Sequence, residues 1–285
     1  MSRSLSHSAR NADERVLSSG DLVSQILSCL SLRDILDNAA LVNTTFQIEA
    51  KYTAVARFSS ILSPYVSDHV HALVDLLNGT RSIVVGSCAL KMFQPPSSWQ
   101  PNNLNIIVPR NSLNKFMMFF NSKRYSPVRL PVAPHLTHYL SQYFLLQHSE
   151  RRPVSIAESM DDTVLTPFLA ASCTAEFICM TGGGLACMYP MQTSSNLALR
   201  SPSNRGIASV WETLKDRGFC LKTTLQHRPH DVCPAKWRRI NGLRDTWIKE
   251  WEELNSVLCI FIGEHHRWRL GTPCTNFRCP HKDAA

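Results

Sequence analysis

Residues 81–109, RSIVVGSCALKMFQPPSSWQPNNLNIIVP, contain two apolar runs separated by a short helix-like segment and a loop rich in proline and serine. The first run, residues 83–85, ends in Gly86-Ser87, and the second, residues 104–108, is stopped by Pro109. Apolar, β-branched runs bounded by glycine and proline are typical of buried strands. The stretch therefore predicts a strand, a tight turn, a helix, a loop and a second strand.

This order resembles the nucleotidyltransferase fold, in which a strand ending in Gly-Ser is followed by a helix and by a strand with two acidic residues. Those acids are separated by one residue and so lie on one face of the strand, where they can hold divalent metals. Asn103 and Asn105 occupy the two positions here. Because a neutral amide offers one carbonyl oxygen in place of a carboxylate, we expect weak Mg²⁺ binding. The pseudo-active site that the resemblance implies comprises Gly86, Ser87, Asn103, Asn105 and Glu158.

The resemblance also implies a third acidic residue on a later strand of the sheet. Ser155 or Ala157 would occupy that position, and Glu158 is the nearest acid, with Asp161 and Asp162 beyond it. One carboxylate cannot replace three in binding two metals. We therefore expect no catalytic residues and no enzymatic activity. An active nucleotidyltransferase that uses Glu158 with Asp161 or Asp162 is the less favoured alternative.

The N-terminal part of the chain has the apolar spacing of helices. Apolar residues recur at every fourth position from Leu22 to Leu30, which indicates an amphipathic helix. Ser31 predicts the capped start of a second helix, and Asn43 or Thr44 the start of a third. The pattern predicts a small bundle of three helices.

The order of apolar residues over residues 15–57, from the pair Val16-Leu17 to Phe46, resembles an F-box. F-box segments dock onto the small adaptor subunit of a cullin-RING ubiquitin ligase, and the resemblance implies that partner. The residues it assigns to adaptor contact are Leu22, Ile26, Leu27, Leu30, Leu36, Val42 and Phe46. The alternative is that these side chains form the core of an N-terminal helical cap.

An F-box-like head followed by a degenerate nucleotidyltransferase-like body resembles a family of proteins abundant in mushroom-forming fungi. The resemblance rests on the head and on Gly86-Ser87, Trp99-x-Pro101-Asn102-Asn103-Leu104-Asn105, Val108-Pro109 and Tyr189-Pro190. It implies an α+β fold, with a three-helix bundle followed by a mixed sheet with helices. We expect a disordered lead-in (1–15), the bundle (16–62), the body (63–200) and a basic extension containing Cys and Trp, packed on the body (201–285).

Weaker patterns complete the prediction for the rest of the chain. They indicate helices over 66–78 and 111–125, irregular or short β structure over 126–153, a hairpin turn at 182–184 and an apolar strand over 257–262.

Composition and charge limit the partners. An apolar fraction of 44% and a charged fraction of 18% are typical of a globular protein. The net charge of +8 arises beyond residue 80, where 24 Lys and Arg outnumber 14 Asp and Glu. Nucleic acid is a candidate partner there, but a solvated basic surface is favoured because no dense basic run is interleaved with aromatics.

The N-terminal sequence and the cysteines indicate the cellular compartment of the protein and whether it binds a metal. No signal-peptide or membrane-spanning pattern is present, which predicts an intracellular protein, cytoplasmic or nuclear, with reduced thiols. Cys220 with Cys233 and Cys274 with Cys279 form two pairs that could bind zinc, although neither has the two-residue spacing of a knuckle. A local disulfide and ordinary thiols are the alternatives, and we expect no cofactor.

Together these inferences predict a non-enzymatic protein that recruits an unknown protein client to a cullin-RING ligase. A nucleotide- or RNA-binding pseudo-enzyme is the alternative.

Overall fold

The structure is a computed structural model that describes residues 19–201, 208–223, 233, 236–239, 246–251, 258–261, 267–270 and 279. The predicted lead-in and the pair Val16-Leu17 lie outside the described residues. No helix within the described ranges is long and apolar enough to cross a membrane.

The three predicted N-terminal helices are present, as α1 (Gly20–Ser28), α2 (Leu32–Asp37) and α3 (Thr44–Val66), with a 3₁₀ turn at Ala39–Leu41. Ser31 caps α2, because its Oγ accepts a hydrogen bond from the Asp34 backbone N–H at 3.1 Å. Asn43 caps α3, with Oδ1 accepting from the Phe46 N–H at 2.9 Å. Both predicted caps are confirmed, and Asn43 rather than Thr44 supplies the second.

The N-terminal helices enclose a small core of their own. Its buried residues are Val23, Leu27, Ile35, Ala39, Phe46 and Ala50. We call residues 19–62 the head. A core of this size has little capacity to hold three helices together without further support.

Helix α3 supplies that support because it runs through the predicted domain boundary at residue 62. Its second half contributes Phe58, Leu62 and Tyr65 to the main core of the protein. Pro64, in the last turn, has no N–H for the Ser60 carbonyl, and the Ser63 hydroxyl donates to that carbonyl at 3.3 Å instead. The head and the body are therefore joined by one unbroken helix.

The body begins with a 3₁₀ turn (Ser67–His69) and α4 (Val70–Thr80), and seven strands and four further α-helices follow up to residue 194. They are β1 (Ile83–Val85), α5 (Ser87–Phe93), β2 (Leu104–Val108), α6 (Leu113–Ser122), β3 (Ser126–Leu130), β4 (Leu140–Gln147), β5 (Val154–Ser159), α7 (Leu165–Leu169), β6 (Ile178–Met180), β7 (Gly184–Cys187) and α8 (Pro190–Ser194). Further 3₁₀ turns lie at Pro134–Leu136 and Thr174–Glu176.

The remaining described elements are shorter. They are β8 (Leu197–Leu199), α9 (Ala208–Asp216), β9 (Cys220–Lys222), β10 (Arg238–Arg239), β11 (Trp247–Glu250), α10 (Leu258–Phe261) and β12 (Arg267–Trp268). Strands β8 and β9 form a parallel pair, and β10 and β12 form an antiparallel pair.

Eight strands form one mixed sheet in the order β11-β7-β6-β1-β2-β5-β4-β3. Strands β2 and β5 are parallel, and the other neighbouring strands are antiparallel. The fold is therefore of the mixed α+β class. In the parallel pair, Asn105 lies opposite Ser155 and Val108 lies opposite Glu158.

Apolar layers cover both faces of the sheet. Strand β2 shows the alternation, because Ile106 and Val108 belong to the main core whereas Ile107 belongs to a second core on the other face. Phe177, Tyr189 and Trp268 pack ring against ring in that second core. Each face of the central strands therefore packs against an apolar core over at least part of its length.

Two predictions need correction. Residues 140–147 form an eight-residue strand where the sequence predicts irregular or short β structure. Residues 258–261 of the predicted apolar strand form helix α10, in which the adjacent Ile260 and Phe261 both enter the second core. A strand would send these two side chains to opposite faces.

Strand β11, within the predicted C-terminal extension, pairs with β7 and so belongs to the main sheet. The predicted domain boundaries stay a prediction.

Substitution of Leu62 in α3 tests the shared helix. Leu62 is fully buried in the main core, and Leu62→Ala should lower the free energy of unfolding by about 2–5 kcal/mol. Tyr52→Ala in the same helix is the control, because Tyr52 is 67% exposed and its loss should cost under about 0.5 kcal/mol. Urea denaturation followed by circular dichroism measures both. Equal effects of the two variants would contradict the shared core.

Candidate functional site

The turn between β1 and α5 requires glycine for two reasons. Gly86 has φ +69° and ψ −136°, a backbone conformation that residues with a Cβ rarely adopt. A Cβ at this position would also lie 2.9 Å from Nδ2 of Asn105. The absence of a side chain therefore allows the Asn105 amide to lie directly against the turn.

Three neutral polar side chains meet beside this turn. Nδ2 of Asn103 donates to Oδ1 of Asn105 at 2.6 Å and lies 3.4 Å from Oγ of Ser155. The spacing of two along the chain places both amides on one side, and the pairing of β2 with β5 brings Ser155 to Asn105. Asn103 and Asn105 are the positions at which the nucleotidyltransferase resemblance implies two acids. Ser155 is one of the two candidates, with Ala157, for the position of the third.

The carbonyl of Asn103 holds the start of α5 against this cluster. Ser87 Oγ and Cys88 Sγ both donate to it, each at 3.5 Å. Burial raises the pKa of the Cys88 thiol to about 12. The thiol is therefore protonated at neutral pH, where it can donate to the Asn103 carbonyl.

The structure does not bring Glu158 into the cluster, and that part of the prediction is wrong. Because successive side chains of a strand face opposite ways, Ser155 and Glu158 lie on opposite faces of β5. The Glu158 carboxylate accepts hydrogen bonds from the Leu113 N–H at 3.4 Å and the Ser141 hydroxyl at 2.8 Å. It therefore holds the start of α6 on the other side of the sheet.

A cavity of about 460 Å³, which we call the cleft, opens beside Gly86. Its polar lining residues are Asn105, Tyr143, Ser155, Ser172 and Glu176. Its apolar lining residues include Val85, Ile107, Pro131, Leu140, Ala157 and Phe168. The described lining residues include no Lys or Arg. No sequence pattern points to Tyr143, Ser172 or Glu176, which approach from β4 and from the loop after α7.

The loop before β2 is fixed by contacts that no local sequence pattern indicates. Lys91 Nζ lies 4.9 Å and the Arg217 guanidinium 4.4 Å from the centre of the Trp99 ring. The Pro101 carbonyl accepts hydrogen bonds from Tyr65 Oη at 3.0 Å and Arg152 Nη1 at 2.6 Å. Residues remote in sequence thus set where Asn103 and Asn105 lie.

The residues predicted to contact an adaptor fall into three groups. Leu22, Ile26 and Val42 are 41%, 44% and 54% exposed. Leu30 and Leu36 are half-buried.

The third group consists of Leu27 and Phe46, which lie inside the head core. They are corrected to structural residues, because the helical rotation that exposes Ile26 turns Leu27 inward. Exposed apolar residues that the prediction missed are Leu41, Ile48 and Tyr52.

The candidate zinc cysteines divide differently from the predicted pairs. Cys220 is exposed on β9, whereas Cys233 and Cys279 are buried in contact with each other. Cys274 lies outside the described residues. Within the described residues, no group of three or more potential ligands gathers. The expectation of no cofactor, with zinc as its alternative, stays a prediction.

The comparisons with known proteins give a weak similarity. No family model matches the chain, and no curated protein matches it. A solved structure, the apo form of a CCA-adding enzyme, is similar at a TM-score of 0.40 and 12% sequence identity. The similarity covers 57% of this chain and 42% of that enzyme. At this level it carries no argument about function.

Replacement of Gly86 tests the turn. We expect Gly86→Ala to lower the free energy of unfolding by about 1–3 kcal/mol, because the new Cβ is strained and displaces the Asn105 amide. Gly79→Ala is the matched control. Gly79 lies within α4, and a Cβ added there would meet no atom within 4 Å, so alanine should stabilise by about 0.5–1 kcal/mol. Urea denaturation measures both free energies of unfolding. If the two substitutions changed this free energy in the same direction, the strained turn at Gly86 would be refuted.

Proposed function

We propose that this protein is a non-enzymatic interaction protein with an F-box-like head and a degenerate nucleotidyltransferase-like body. The head binds the adaptor subunit of a cullin-RING ubiquitin ligase, and the body presents a protein client. An intracellular location, cytoplasmic or nuclear, belongs to the same proposal. The observation that carries it is the concentration of exposed apolar side chains on the head.

Six of the eleven exposed large hydrophobic residues in the described part of the chain lie between residues 22 and 52. Single exposed apolar residues are ordinary on a protein surface, but here four of the six fall into pairs. Leu22 with Ile26 on α1, and Ile48 with Tyr52 on α3, are each four residues apart, so the members of a pair adjoin on the helix surface. Adjoining apolar side chains favour contact with a protein partner.

Helix α1 has two apolar sides, one buried in the head core and one exposed to solvent. Val23 and Leu27 face the head core and are fully buried. Leu22 and Ile26 precede them by one position each, so they lie about 100° away around the helix. A helix that only closed the head would need the first side alone, and the second side supports the docking proposal.

The polar cluster supports a non-catalytic body. Asn103, Asn105 and Ser155 are neutral, and Asn103 bonds its neighbours within the cluster. We favour this interpretation over a shifted acidic set, because Glu158 bonds Ser141 on the other face of β5 and Asp161 and Asp162 are exposed after the end of that strand. The body then serves as a scaffold.

The second candidate is a nucleotide- or RNA-binding pseudo-enzyme, and the cleft beside Gly86 is the observation in its favour. Its weakness is electrostatic, because a phosphate in the cleft would find no Lys or Arg among the described lining residues. Salt-dependent binding of single-stranded RNA by the full chain would favour this candidate over the first.

The docking experiment uses the full chain co-expressed with a cullin-ligase adaptor subunit. Size-exclusion chromatography with light scattering should show a one-to-one complex. The double substitution Leu22→Ala with Ile26→Ala should weaken it at least about tenfold, because truncation of central apolar anchors commonly costs about 1 kcal/mol or more each. The matched control is Met118→Ala, since Met118 is an apolar residue of α6 that is 73% exposed.

Both variants remove only exposed side chains, so thermal unfolding should match that of the parent chain. No complex with the parent chain, or equal weakening by Met118→Ala, would overturn the proposal. Tyr52→Ala then maps whether the exposed pair on α3 belongs to the same surface.

A further inference from the structure

The cleft has a lining that the docking proposal does not use. Among its described lining residues, Glu176 is the only Asp, Glu, Lys or Arg. Within the described chain Glu176 has no ion-pair partner within 4.0 Å. Of the charged residue types, the described lining of the cleft thus carries one Glu and no Lys or Arg, in a protein whose net charge is +8.

Two hydrogen bonds from Ser172 hold the Glu176 carboxylate in place. Its Oε2 accepts a hydrogen bond from the Ser172 backbone N–H at 2.9 Å and a second, short one from the Ser172 hydroxyl. Both bonds lie within a turn of five residues, which fixes the carboxylate at the wall of the cleft. Ser172 is itself buried.

The other residues that line the cleft favour a ligand with a compact apolar part. Phe168 and Ala157 are almost fully buried, and Tyr143 contributes an aromatic ring from the neighbouring strand. A volume of about 460 Å³ lies within the range of sites for small organic ligands. Aromatic rings that line the same cleft as a carboxylate favour a cationic ligand, because the ring faces are also negative.

We propose that the cleft binds a small arylalkyl amine, with the ammonium group paired to Glu176 and the ring packed between Phe168, Ala157 and Tyr143. Nucleoside triphosphates are disfavoured by the same lining, because their phosphates would meet a carboxylate and no described Lys or Arg. The inference is independent of the head, because no residue of α1, α2 or α3 is among the described lining residues.

The test uses two ligands of nearly the same shape, 2-phenylethylamine and 2-phenylethanol, titrated into the full chain at neutral pH. Saturation-transfer NMR measures both affinities. The amine is protonated and should bind at least about ten times more tightly than the alcohol. Added salt should weaken the binding of the amine and leave that of the alcohol unchanged, since ion pairs are screened. ATP should not displace the amine.

Two variants locate the contact. Glu176→Gln keeps an oxygen that can accept from Ser172 but removes the charge, so the amine should bind no better than the alcohol. The matched control is Glu212→Gln, because Glu212 is exposed on α9 and its loss should change neither affinity.

Equal binding of amine and alcohol by the parent chain, or no binding of either, overturns the inference without any variant. Displacement of the amine by ATP also overturns it and favours the nucleotide-binding candidate. A preference for the amine that survives in a folded Glu176→Gln variant places the ammonium elsewhere and refutes the assignment to the cleft.

Discussion

The whole arrangement depends on helix α3 continuing unbroken from Thr44 to Val66. Its first half buries Phe46 in the head core, and its second half buries Leu62 in the core of the body. At its end Tyr65 donates to the Pro101 carbonyl at 3.0 Å, just before β2 begins. The same helix therefore positions the head and fixes the loop that carries Asn103. A break in α3 would remove the support of both, since the small head core is marginal by itself.

A second connection ties the C-terminal part of the chain to the head. Asp37, at the end of α2, accepts a hydrogen bond from Trp247 Nε1 at 2.7 Å and pairs with Lys249 Nζ at 2.8 Å. Both partners lie on β11, one of the two edge strands of the sheet. The head is thus held from two directions, while Leu22 and Ile26 of α1 stay exposed. The described residues that line the cleft belong to other elements, so the exposed side of α1 and the cleft are separate surfaces.

The sequence predicted local features correctly where the backbone requires one residue or a few similar ones. Gly86 marks a turn that only glycine tolerates, and the caps at Ser31 and Asn43 follow from short polar side chains before apolar runs. The prediction of site residues failed where a shift of one residue along a strand or helix changes the direction of the side chain. Glu158 is the nearest acid to the expected third position, but a strand reverses the side-chain direction at each step and turns it away from Asn105. Likewise one step along α1 separates the exposed Ile26 from the buried Leu27.

Local periodicity and backbone sterics were sufficient to predict the strand-turn-helix unit at Gly86, whereas the α+β class and the attention to Asn103 and Asn105 came from the resemblance that this unit carries. Long-range packing, in contrast, established that α3 joins head and body and that β11 completes the sheet. It also placed the carboxylate of Glu176, and no described Lys or Arg, in the cleft. Those features arise from contacts between residues far apart along the chain, and local sequence patterns carry no information about which distant residues meet.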